Sequence, residues 1–454
     1  MKRSNYILSV LAFSLLVSSC HDVLEPKPVD ILTDDIVLNE PKDVANVEIG
    51  LYSAFRVIAP ATVIAGDFTA DMLIHNGTFT QYRELGTKQI TSANASVATL
   101  WGSLYNTIYI SNFIIERLPN VPGVPTSQRN SVLATAHFLR GYAYFTGLYA
   151  FGGIPKVLTT SIETNRNIPR ASSEEILALI LEDYSFALGK LPAEQQNPGF
   201  ASDYAVRAAL ARYYLYAQNW AEAENYATSV IESTLFTLEP DFSDVVTKDF
   251  TNESIFEVGY TIADDPGTNG NIGLNNLFVG RREIIPSNPA ILDLASDNSG
   301  DRFSSISFNS NELQGNDNGW SVAKYGTADE DNNNVVVFRL AEMYLIRAEA
   351  RTRLNKVTGA NSAQIDINIL RDRANAPLVP SVSAAQMIVL IEDERKYELA
   401  FEGHRWFDLV RTGRASQVMT LFTPNWKNAY ELWPIPQREL QNNPALAGNQ
   451  NPGY

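Results

Sequence analysis

Between Asp203 and Asn219 the apolar residues Val206, Leu210, Tyr213 and Ala217 recur at steps of four, three and four, which lines them along one face of a helix. A stripe of that kind must be covered. The next segment, Trp220 to Ile231, follows at once and carries Ala223, Ala227 and Val230 on its inner line. Side chains this small let two antiparallel helices approach closely, so the pair predicts a helical hairpin. The run Leu210-Ala211-Arg212-Tyr213-Tyr214-Leu215 is echoed by Leu340-Ala341-Glu342-Met343-Tyr344-Leu345, and each copy is followed by a further helical segment.

Leu210, Ala211, Tyr214 and Ala223 fall at the offsets of a tetratricopeptide hairpin. Helices are also predicted over Val44 to Val57, Ser96 to Leu118, Ser131 to Tyr149, Ser173 to Leu188, Ser362 to Arg373 and Ala384 to Arg411. Ser172 offers an N-cap before Glu174 and Glu175, while Gly152, Gly153 and Pro155 stop the helix before it. Residues 235–334 differ. They are crowded with Asn, Asp, Gly and Ser and hold only short strand-like runs such as Ser254 to Tyr260. The expected fold is therefore mainly α: a tetratricopeptide-like helical-hairpin scaffold carrying an irregular, loop-rich insert at about 235–334. Long loops on a rigid scaffold usually carry recognition.

The N-terminus has the order of an export signal. Lys2 and Arg3 precede an apolar run from Tyr6 to Val17, then Ser18, Ser19 and Cys20, the single cysteine. The run is too short to span a bilayer, which takes about twenty apolar residues. Val17-Ser18-Ser19-Cys20 resembles a bacterial lipobox, whose cysteine becomes an acylated N-terminus. The expected organisation is a lipoprotein signal at 1–19, a lipidated tether at 20–42 with Pro26, Pro28 and Pro41, and one domain at 43–454. No later stretch approaches twenty apolar residues on this reading. Cleavage removes two positive charges and no negative ones, taking the net charge from −16 to −18. Nucleic acid is an unsuitable partner for so acidic a surface. Strongly polyanionic cargo would also be repelled unless a local basic patch, around Arg281 and Arg282, offsets the field.

No G-x-S-x-G elbow, phosphate-binding loop or H-E-x-x-H motif is present. The four histidines, His21, His75, His137 and His404, have no ligand-like spacing, and no cofactor or metal is expected. Asp329, Asp331 and Asn333 begin like a calcium loop, but Asn334 stands where the turn glycine belongs and Leu340 where the bidentate acid belongs. Glu394, Glu398 and Glu402 align at helical steps, so a paired-carboxylate glycosidase using Glu394 and Glu398 is one reading. The alternating arginines favour another. Acids interleaved with Arg395, Arg405 and Arg411 form ion pairs and stay ionised, whereas a general acid needs a raised pKa. Candidate ligand contacts are aromatic and polar residues outside periodic segments: Asp67, Asp71, Phe79, Tyr82 and Arg83, with Trp320 and Tyr325 in the insert. A ring beside Asp, Asn or Arg suits a sugar, whose C–H face stacks while its hydroxyls meet donors and acceptors.

Motifs spread along the chain resemble the SusD/RagB family of Bacteroidota outer-membrane lipoproteins. They are the Cys20 lipobox with Leu24-Glu25-Pro26-Lys27-Pro28, Arg140-Gly141-Tyr142-Ala143-Tyr144-Phe145, and Phe151-Gly152-Gly153-Ile154-Pro155. Arg170-Ala171-Ser172, Phe338-Arg339-Leu340 and Glu398-Leu399-Ala400-Phe401-Glu402-Gly403-His404-Arg405-Trp406-Phe407-Asp408 follow, then Leu432-Trp433-Pro434-Ile435-Pro436 and Asn451-Pro452-Gly453-Tyr454. The resemblance implies four tetratricopeptide-like hairpins supporting an irregular ligand-binding half. It implies a non-catalytic, surface-exposed protein, lipid-anchored through Cys20, that captures an oligosaccharide, or in some members a peptide, for a SusC-like TonB-dependent transporter. The shared motifs are mostly scaffold, so the resemblance transfers no binding residue. An assembly adaptor without a small ligand is a third possibility, since such hairpins present concave protein-binding surfaces.

Overall fold

The structure is a computed structural model and describes residues 37–193, 197–260, 273–326 and 334–454. Cys20 and the segment Asp329 to Asn333 lie outside these residues. The chain is dominated by helices: α1 (Asp43–Phe55), α2 (Ile58–Val63), α3 (Thr80–Thr87), α4 (Ala95–Arg117), α5 (Thr126–Phe151), α6 (Ser173–Ala187), α7 (Asp203–Tyr216), α8 (Trp220–Ile231), α9 (Leu340–Arg353), α10 (Ala363–Arg373), α11 (Ala384–Glu398) and α12 (Arg405–Arg411). Neighbours pack in succession: α1 on α4, α4 on α5, α5 on α6, α7 on α8, α8 on α9, and α9 on both α10 and α11. The expected hairpin is present. Ala223, Ala227 and Val230 of α8 are fully buried, as are Ala208 and Ala211 of α7, so small residues do set the close approach.

Local signals placed several helix ends correctly. Ser172 caps α6 through a reciprocal box, its hydroxyl accepting from the Glu175 amide while the Glu175 carboxylate accepts from the Ser172 amide. Gly152 ends α5 at φ 75°, a conformation open to glycine at little cost. The predicted continuous helix from Ala384 to Arg411 is instead broken. The backbone leaves α11 after Glu398, turns through Phe401 (φ 66°) and Gly403 (φ 85°), and re-enters a helix at Arg405. The turn is held from far away, because the Asp67 carboxylate accepts from the backbone N–H groups of Gly403 and Arg405.

Six short strands form three antiparallel pairs, and residues 235–334 contribute four of the six. β1 (Leu73–His75) pairs with β3 (Ile284–Pro286), β2 (Ser254–Val258) with β6 (Val335–Arg339), and β4 (Ile306–Phe308) with β5 (Trp320–Val322). One large apolar core runs through α1 to α8 and the strands, and a smaller one lies among α9, α10 and α11. The stretch Asp43–Phe68 is long and apolar enough to cross a membrane by composition, contrary to the expectation that no stretch after the signal would be. It is used as core instead, with Leu51, Phe55, Ile58 and Phe68 at 1% exposure or less.

Candidate functional site

The β4–β5 hairpin carries an aromatic cluster at its surface. Phe308 stands directly opposite Trp320 across the pair, with ring centroids 5.1 Å apart, and Phe303 meets Trp320 edge-on at 5.6 Å. Phe308 is 50% and Phe303 39% exposed, while Trp320 is partly buried between them. Exposed rings cost free energy in water, so Phe303 and Phe308 beside the half-buried Trp320 form a surface that gains by being covered. Asn309, Asn311 and Gln314 lie in the eleven-residue connection between the strands and are exposed there.

Both flanks of this hairpin are tied to the interior. Arg302, next to Phe303, is fully buried and donates from Nε to Glu398 at 2.6 Å and from Nη2 to Glu394. Lys324, four residues after Trp320, donates to Glu402. The same carboxylates bind Arg339, Arg371 and Arg373, with Glu253 completing the network. Burial opposes ionisation of Glu398, but Arg373, Arg302 and Arg339 around it win and hold its carboxyl well below the usual range. Glu402 is likewise pulled down to about 2 by Arg339 and Lys324 against the effect of burial. Burial raises the Glu394 carboxyl while Glu398 stays ionised, the split a dyad needs, but both are fully enclosed and bonded to arginines, so no substrate bond can reach the pair.

A second, local anchor holds Trp320. Arg282 is buried at φ 52° and donates to both Asp317 oxygens at 2.6 Å, to the Trp320 carbonyl at 2.9 Å and to the Ser321 hydroxyl. Burial works against the Asp317 charge, but these bonds and the Gly319 amide keep its carboxyl below its ordinary value. Asn76, just past β1, donates to Asp317 at 2.8 Å and to the Arg282 carbonyl at 2.9 Å. Arg282 is thus an internal fastener, and of the expected basic patch Arg281 alone stays exposed. Arg281 is exposed and stacks over the Phe79 ring at 4.2 Å.

Not all of the residues expected at a site are available to a ligand. Asp67 is fully buried at the 399–404 turn, where burial pushes its carboxyl up to about 7 although the two amides and Lys324 draw it down. Asp71 pairs with Arg405 at 2.9 and 3.2 Å. Tyr325 is buried, donates to the Phe401 carbonyl at 2.7 Å and stacks on Phe278. These three are buried and bonded into the framework. Tyr82 and Arg83 belong to α3, not to a loop, and Phe79 caps its start. Tyr82 is buried between Phe68 and Phe79 and walls a cavity of about 220 Å³ that also touches Pro60, Ile64, Thr99 and Trp433. That cavity has no charged residue in its lining. The structure therefore gathers Phe79 with Arg281, and Trp320 with Phe303 and Phe308, and links the two groups through Arg282, Asp317 and Asn76. Phe303 and Phe308 escaped the sequence reading. The signal available was the alternation Ile306-Ser307-Phe308 set against Trp320-Ser321-Val322 across an Asn- and Gly-rich turn.

Two family models match this chain, one described as the SusD family over residues 309–454 and one described as starch-binding associating with outer membrane over residues 22–215. The chain belongs to the SusD family. Among relatives of this SusD-like chain, SusD-like protein P25 of Formosa agariphila is 27% identical over the whole of both chains. SusD-like protein P38 of the same organism is 25% identical over 97% of this chain and 98% of its own length. A solved structure titled laminarin binding SusD-like protein superposes with a TM-score of 0.79 at 23% identity, covering 92% of this chain and all of that one. That likeness carries the helical SusD-like fold.

Proposed function

We propose that this SusD-like chain is a non-catalytic capture protein of the outer-membrane surface, lipid-anchored through Cys20, that binds an oligosaccharide and passes it to a SusC-like TonB-dependent transporter. One observation carries the reading: Phe303 and Phe308 are exposed and pack on a half-buried Trp320, at a hairpin whose two flanks are fastened into a buried ionic network. Exposed rings, with Asn and Gln in the connecting turn, match the two-sided chemistry of a sugar, apolar on its C–H face and polar at its rim. The glycan-binding descriptions in the family, and the laminarin binding named for one structural neighbour, support the same class of cargo.

Delivery sets a limit on the grip. Cargo must leave for the transporter, so an affinity near the micromolar range, about −8 kcal/mol, suits the task better than a tight one. A ring loss worth about 1.4 kcal/mol weakens binding about tenfold. Calorimetric titration of the processed protein against a panel of oligosaccharides should find a binder, and Trp320→Ala should lower its affinity about tenfold while the protein stays folded by circular dichroism. An unchanged isotherm would remove Trp320 from the site. New reducing ends accumulating during the titration would overturn capture without cleavage.

A further inference from the structure

We propose that Arg281, stacked on Phe79, reads an oxyanion on the cargo, so that the glycan captured beside the aromatic hairpin carries carboxylate or sulfate groups. The inference rests on the capture reading above and names the cargo class. Its basis is the state of the Arg281 guanidinium. The group lies 4.2 Å from the Phe79 centroid, and its side chain is 45% exposed. Stacking on a ring fixes the plane of a guanidinium and leaves its edge donors pointing outward, the arrangement that meets a carboxylate or sulfate with two parallel bonds. Among the described residues, no hydrogen bond occupies those donors.

Glu283 pairs with one edge of Arg281, its Oε1 standing 3.6 Å from Nη2, while its Oε2 accepts from the backbone amides of Thr78 at 2.8 Å and Phe79 at 3.0 Å. That carboxylate therefore fixes the backbone under the Phe79 ring, and so fixes the platform on which Arg281 rests. Arg83 is exposed one turn along α3 from Phe79, and its charge helps lower the proton affinity of His75, after the larger effect of burial. Arg282, the next residue after Arg281, holds the Trp320 carbonyl, which places the cationic corner and the ring surface on one connected support.

The overall charge makes such a group informative. A chain at −16 repels anionic cargo over most of its surface, so an exposed arginine held on the Phe79 ring selects where and how an acidic chain settles. Exposed ion pairs are individually weak in water, so the corner gives orientation and discrimination while the rings supply most of the grip.

The test is a titration with four length-matched probes: a neutral laminari-oligosaccharide, an oligogalacturonate, a sulfated galactan oligosaccharide and an oligo-aspartate peptide. Wild-type protein should bind at least one acidic glycan more tightly than the neutral one. Arg281→Gln should weaken that binding about tenfold at low salt, less at high salt, and leave the neutral probe unchanged. The uronate and sulfate arms tell which oxyanion is read. The proposal is overturned if the neutral probe or the peptide binds most tightly, if no acidic glycan binds, or if Arg281→Gln acts on all probes alike or on none. Trp320→Ala separates this from the capture reading. Loss with Arg281→Gln alone sinks the ring surface and keeps the oxyanion corner, whereas loss with Trp320→Ala alone does the reverse.

Discussion

At the scale of single residues, the same polar side chain can be a contact or a fastener, and its partners decide which. Asp67 illustrates the point, because it is fully buried with its carboxyl raised to about 7 from 3.8. A raised folded pKa means that folding favours the protonated form. The stabilising contribution is fully present below about pH 3.8, where both states are protonated, and is lost as pH rises through 7. The full shift corresponds to on the order of 4 kcal/mol. Asp67→Asn should remove this dependence, so the wild type's advantage in unfolding free energy over the variant should shrink between pH 5 and pH 8. If the gap widens instead, the ionised carboxylate is the stabilising form. Residue types were legible in the sequence, and alternation could have paired Phe308 with Trp320, but that the Phe303 and Phe308 rings stay exposed depends on what packs around them and has no local signature.

Helices and turns were legible where their causes are local. The stripes of α7 and α8, the box at Ser172 and the glycine end of α5 all depend on residues within a turn or two. The break between α11 and α12 does not, because it depends on a close approach by another element. Gly66 lies in the helical turn Ile64–Phe68, and a Cβ there would sit 2.0 Å from the Gly403 carbonyl oxygen. Alanine at a helical glycine normally gains up to about 1 kcal/mol from propensity. Here a backbone atom blocks the methyl, and overpacking costs about 1–3 kcal/mol. Gly66→Ala should therefore destabilise the protein by roughly 2 kcal/mol in denaturant unfolding. A stabilised variant would show that the two turns can move apart.

Across the whole molecule, the insert and the helical scaffold are joined by charge as well as by apolar contact. Arg302 from the insert meets Glu394 and Glu398 of α11 with no exposure on either side. Removing one partner of a buried pair leaves an uncompensated charge, at about 3–5 kcal/mol. Arg302→Met should lower the unfolding free energy by that amount and weaken ligand binding as the hairpin loses its seat. Stability within 1 kcal/mol of wild type would show that Arg371, Arg373 and Arg339 alone neutralise the two glutamates. By itself the sequence determined the helices, their pairing into hairpins and the acidity of the chain, because periodicity, capping and charge act over a few residues or add without regard to position. Only the tertiary structure decided which polar and aromatic groups face solvent. Asp67 finds its amide at Gly403 and Asp71 its guanidinium at Arg405, 336 and 334 residues away. Whether a group is spent on the fold or left for a ligand depends on such distant partners, and they meet only when the chain is packed.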